Sequence, residues 1–221
     1  SRAMHGEIPY TIRRSTRARR VRVNVHAHAG VEVVLPTRAP EHAAAAAVVE
    51  LRPWIERRLS EAQGVLTQIA ERGATVPYLG LTLELHPQQG RRRVHRQGPR
   101  LLVPADDPRP ALERYYRRMA RLEIAARLDR ATTLAGTPYR DLTIRAQRTR
   151  WASCSATGRM SFNWRLLLAP ESVLDYVVWH EVCHLEVLDH SPRFWALLER
   201  RCPRYAEDRE WLRRHGATLA L

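Results

Sequence analysis

The chain has 221 residues, 44% hydrophobic and 27% charged, with 37 basic against 23 acidic side chains and a formal net charge of +14. A chain of this length buries roughly 70% of its unfolded surface, so folding requires neither a disulfide nor a metal staple. No stretch approaches the roughly 20 apolar residues of a membrane span, and Cys154, Cys183 and Cys202 stand at unrelated spacings, which excludes a disulfide framework and a thiolate zinc site.

A reducing, cytoplasmic compartment is the expectation from these cysteines, and the opening SRAMHGEIPY has no apolar signal-peptide core. Every basic residue is arginine, because the sequence contains no lysine. The coding bias of a GC-rich genome accounts for the choice of cation but not for the excess over acids. That excess fits anionic partners such as nucleic acid or nucleotides, or a basic surface that only solubilises.

Taken in chain order, Ile8–Arg13, Arg20–His26 and Val31–Leu35 alternate apolar and polar residues and read as strands. Arg13, Arg14, Arg17, Arg19, Arg20 and Arg22 form a basic cluster among them, suited to gripping phosphates or to blunting an exposed sheet edge. The Ala-rich stretch from Pro40 to about Ala70 reads as helix despite Pro53. Tyr78–His86 reads as a strand and Arg91–Val103 as a hairpin around Gly98, where Arg91, Arg92, Arg93 and Arg96 make a second basic patch. Arg109 to Ala135 is a long amphipathic helix closed by Gly136. Leu142 to Trp164 reads as short strands around a turn at Ser155–Gly158. The division this suggests is a β-rich N-terminal region with one helix (1–105) and a catalytic region (106–221).

The chemistry is concentrated in PESVLDYVVWHEVCHLEVLDH, residues 170–190. Val173, Tyr176/Val177, His180, His184 and Val187 recur at spacings of three and four, so they share one helix face. His180 and His184, one turn apart, can converge on one ion at about 2.0–2.1 Å. Glu181 lies beside the first of them, with reach to water at the metal's open position. This is the H-E-x-x-H arrangement of metallohydrolases. The bland alternative is a pair of helix-face histidines beside an ordinary surface glutamate, but the helix is the most apolar of the chain, where unpaired polar groups are costly. Asp189-His190-Ser191-Pro192 reads as a helix stop and restart, with Ser191 as cap and Pro192 in the first turn. A bend there can swing His190 towards the same ion. Three imidazoles and water complete a four-coordinate zinc site. Glu199 is the competing third ligand, and the metzincin pattern is missing its glycine, since Val187 stands in that position.

The segments R-W-x-S-C-S (Arg150–Ser155), N-W-R-L (Asn163–Leu166) and H-E-x-C-H-x5-H-S-x2-F-W (His180–Trp195) together resemble the YgjP-like metal-dependent hydrolases, related in their zinc motif to SprT and WLM-type proteases. YTIRRSTRARRVRVNV and VVLPTRAP resemble that family's opening segment. Ala152 departs from it, standing where the family usually carries glycine. The resemblance implies His180, His184 and His190 as Zn2+ ligands and Glu181 as catalytic residue. It also implies an α+β fold with a zincin-like, minimal gluzincin-like core behind an N-terminal β-rich region. Three functions follow as expectations: a zinc metallopeptidase acting on peptide or protein, a metal-dependent nucleotide pyrophosphatase, or a DNA-associated SprT-like protease. Arg150 and Tyr205 are the candidate oxyanion donors. Arg150, Trp151, Ser153 and Asn163 could line the substrate cleft, with structural roles favoured for Trp151 and Asn163; Phe194 and Trp195 read as packing residues, and Cys154 and Cys183 as small buried hydrophobes.

Overall fold

A computed structural model describes residues 8–26, 29–147 and 150–221. The chain is mixed α+β and divides into two compact units, one ending at Glu71 and the other running from Arg72 to Leu221. Among the described residues no helix is long and apolar enough to cross a membrane.

In the first unit, β1 (Tyr10–Ser15), β2 (Arg22–His26) and β3 (Gly30–Pro36) form a sheet of order β1-β3-β2. β3 is parallel to β1 and antiparallel to β2. The central strand is buried through Val31, Val33 and Leu35, which pack with Ala44, Val48 and Ile55 of the helices that follow. Those are α1 (His42–Glu50) and α2 (Arg52–Glu71), not one continuous helix. The break falls at Leu51, two residues before Pro53, whose ring lacks an N–H and crowds the carbonyl four residues back.

In the second unit, β4 (Thr75–Tyr78), β5 (Leu81–Gln88), β6 (His95–Gln97) and β7 (Arg100–Pro104) form a four-stranded sheet of order β4-β5-β7-β6. Where a single strand over Tyr78–His86 is expected, the chain turns at Leu79 (φ 45°) and Gly80 (φ 86°). Two successive positive φ angles are the signature of a tight hairpin turn. α3 (Arg109–Ala135) ends at Gly136 in the left-handed conformation (φ 72°), as expected from the glycine. β8 (Asp141–Arg145), β9 (Ala152–Cys154) and β10 (Arg159–Asn163) make a second sheet of order β8-β10-β9. A 3-10 turn over Trp164–Leu168 leads to α4 (Glu171–Cys183), α5 (Pro192–Arg201) and α6 (Tyr205–His215).

One hydrophobic core joins Val76, Leu83, Leu101 and Val103 of the first of these sheets to Tyr116, Ile124 and Leu128 of α3 and Val173, Leu174 and Val182 of α4. The compact division therefore falls at 71/72, whereas the sequence reading divides the chain at 105/106. β4–β7 look like a continuation of the N-terminal strands only until their buried faces are seen to share a core with the helices after them.

Candidate metal centre

The histidine-bearing helix is oriented from α3. Arg127, 6% exposed, holds Glu123 on its own helix at 2.6 Å, and Glu171 at 2.6 Å and Asp175 at 2.9 Å on α4. Three carboxylates around one buried guanidinium use its fork of donors from three directions, and Glu171 also sits at the positive end of the α4 dipole. With that end anchored and Val173, Leu174, Val177, Val178 and Val182 buried, the rotation of α4 about its axis is set.

At the other end of α4, His184 occupies the C-cap, and the chain tightens through Val187 before α5 begins. Ser191 has the extended backbone of a cap and Pro192 opens α5 as expected, but the Ser191 side chain makes no capping bond. Its own N–H donates instead to the carboxylate of Asp189 at 3.2 Å.

This bend brings His190 to the two helix histidines. His184 Nε2 and His180 Nε2 each lie 3.1 Å from His190 Nε2, and one ligand atom from each residue falls within 4.8 Å of the others. His184 Nδ1 lies 2.9 Å from the carbonyl of Val187, which only accepts, so the His184 proton belongs on Nδ1 and the Nε2 lone pair faces the shared space. Burial first, then the neighbouring imidazoles and the Arg209 guanidinium, pushes His180 down to about 3. Burial lowers His184 as well. Both are neutral, as ligation requires.

A proton on His190 Nε2 can serve only one of its two 3.1 Å contacts, and the other then sets like-polarised nitrogens against each other. A central cation relieves both, and nitrogens around a tetrahedral zinc with bonds of about 2.0 Å stand about 3.3 Å apart. The three residues fit a divalent metal. Aromatic walls hold them: Phe194 stacks on His184 (centroids 4.4 Å, 20°) and meets His180 and His190 edge-on, while Trp195 stacks on His190 (5.7 Å, 28°). His180 Nδ1 is buried and has no hydrogen-bond partner among the described residues. Its orientation rests on ring packing and not on the carboxylate or carbonyl contact that ligating histidines usually make.

The histidines line a cleft of about 410 Å³ together with Glu181, Tyr176, Arg150 and Trp151, and with Ala152, Ser153 and Cys154 of β9. Glu181 is 6% exposed, and burial pushes its carboxyl up to about 7. A model of the YgjP-like metallopeptidase domain family matches residues 19–215. The chain belongs to the YgjP-like family. This YgjP-like protein is thus a metal-dependent hydrolase, and its metallopeptidase domain spans both compact units. Among solved structures it is similar to the metallopeptidase zymogen abylysin of Pyrococcus abyssi, at 25% identity over 39% of this chain and 89% of that one, with a TM-score of 0.37. It is also similar to the zymogen jannalysin of Methanocaldococcus jannaschii, at 18% identity over 39% of this chain and 93% of that one, with a TM-score of 0.34. No curated protein matches the chain.

Of the two candidate oxyanion donors, Arg150 lines the cleft, whereas Tyr205 does not and is stacked on Trp195. Asn163 is structural: its side chain accepts from the Arg165 N–H at 3.0 Å and donates to the Gln147 carbonyl at 2.6 Å. Trp151 both lines the cleft and packs against Gly216, where an added Cβ would come within 2.9 Å of its ring. Tyr176 and Cys154 are cleft residues that sequence reasoning missed. For Tyr176 the signal was present, one turn before His180; for Cys154, which reaches the cleft only through strand pairing, there was none. In the N-terminal basic cluster, Arg13 pairs with Glu32 at 2.8 Å and Arg14 donates to the carbonyls of Pro36, Thr37 and Ala39. Two of the six arginines there brace their own sheet.

Proposed function

We propose that this YgjP-like protein is a zinc-dependent peptidase in which His180, His184 and His190 hold the metal and Glu181 carries the proton. The observation behind this reading is the convergence of three imidazole nitrogens, those of His180 and His184 held neutral by burial, in a cleft that also holds the buried Glu181 carboxyl group. Zinc held there supplies Lewis acidity, which acidifies water and polarises a scissile carbonyl. Glu181, lifted by burial to about 7, is matched to taking a proton from water and returning it to the leaving amine near neutral pH. Burial pushes the Tyr176 phenol up to about 12, so it stays a hydrogen-bond donor; with Arg150 it can face a developing oxyanion. β9 pairs with β10 along one edge only, and its residues line the cleft, so an extended peptide could add to the other edge by backbone hydrogen bonds.

Glu181→Gln is the direct test. The variant should keep its metal by elemental analysis while peptide hydrolysis falls by about 10²–10⁴. Full activity in that variant removes Glu181 from the mechanism. Phosphate release from nucleotides with no peptide cleavage would transfer the same site to phosphoanhydrides.

A further inference from the structure

Away from the histidine cleft, a second cavity of about 280 Å³ lies between the segment leading into β6 and the first half of α3. Its walls are Arg93, Val94, Ala111, Arg114, Tyr115 and Arg118, and it shares no residue with the cleft. The floor is apolar and closed: Val94, Ala111 and Tyr115 are each 5–6% exposed. Among the described residues that line it are three arginines and no carboxylate.

The contrast with the rest of α3 is informative. Arg117 is paired with Glu113 at 2.8 Å and Arg127 with Glu123, each one turn apart, and Arg121 donates to the Leu142 carbonyl. Arg114 and Arg118, also one turn apart on α3, both line the cavity, and like charges at this helical spacing repel each other unless an anion sits between them. Arg118 lies over the Tyr115 ring at 5.6 Å, a contact that leaves its positive charge without a counter-ion. The carboxylate that acts on Tyr115, Glu123, is already taken by Arg127 and the Tyr78 hydroxyl.

We propose that this cavity binds the phosphate group of a small-molecule phosphate ester. Three guanidinium groups lining one cavity match the charge and the oxygens of phosphate. The closed apolar floor accepts one phosphate and a small part of its ester. A nucleic-acid track needs a row of free cations instead, and the adjoining Arg117, Arg121 and Arg96 are engaged internally.

The test is calorimetric titration of the full chain with inorganic phosphate and phenyl phosphate, at an ionic strength held constant with sodium chloride. Both should bind, the ester at least as tightly. Arg114→Gln/Arg118→Gln and, separately, Arg93→Gln should each weaken binding at least tenfold with an unchanged unfolding transition. Arg19→Gln/Arg20→Gln, which removes the same charge as the double variant elsewhere, should leave it unchanged. No binding by the parent chain overturns the proposal. So does equal weakening in the Arg19/Arg20 control, or phosphate binding that the cavity variants do not alter. A single-stranded oligonucleotide that binds through these arginines when phenyl phosphate does not would overturn it in favour of a nucleic-acid contact.

Discussion

In the metal-free protein, burial holds His180 far below an ordinary imidazole, at about 3. Its ring should therefore remain neutral at pH 5, where an exposed histidine is mostly protonated. Because the folded value lies below the unfolded one, the stability it contributes is present above about pH 6.5 and is lost as pH falls through about 3. Glu181 runs the opposite way: its raised value contributes stability below about pH 4.5 that is lost as pH rises through about 7. An NMR titration of the histidine ring protons checks the first statement, and a His180 midpoint near 6.5 contradicts it. The convergence of His180 with His184 is legible in the sequence because the α-helical repeat alone places residues four apart on one face. The meeting with His190 is legible from the cap-and-proline signal that bends the chain. Tyr205 and Cys154 were not legible, since whether either reaches the cleft depends on how α6 and β9 pack.

At the scale of elements, Arg127 is the joint between α3 and α4. Arg127→Met keeps much of the side-chain volume but leaves Glu123, Glu171 and Asp175 facing one another without their cation. These carboxylates are one-third to two-thirds exposed, so the loss is discounted below that of a fully buried pair, to about 2 kcal/mol. Thermal unfolding should drop by roughly 4–8 °C on that basis; an unchanged transition would mean that the core alone orients α4. Strong local signals placed most elements: alternation for β1 to β3, the glycine stop for α3, and Ser-Pro for the start of α5. The β4–β5 turn escaped because Leu79 adopts a positive φ that no leucine favours by itself. Its N–H donates to the Leu167 carbonyl at 2.7 Å, a partner that lies 88 residues away in the chain.

For the whole molecule, a ligand that binds only the folded state stabilises it by mass action. Zinc at a thousandfold excess over its dissociation constant should add about 4 kcal/mol, and chelation should remove it. His184→Ala should abolish the response, so a rise in unfolding temperature that survives this substitution would place the metal elsewhere. The sequence by itself determined the α+β class, the family and the four residues expected to act, because helix periodicity and short motifs are local properties of the chain. Only the tertiary structure decided that β4–β7 share a core with α3 and α4, that Phe194 and Trp195 clamp the imidazoles, and which arginines are spent within the fold. Burial and charge pairing arise between residues far apart in the chain, and no local pattern encodes them.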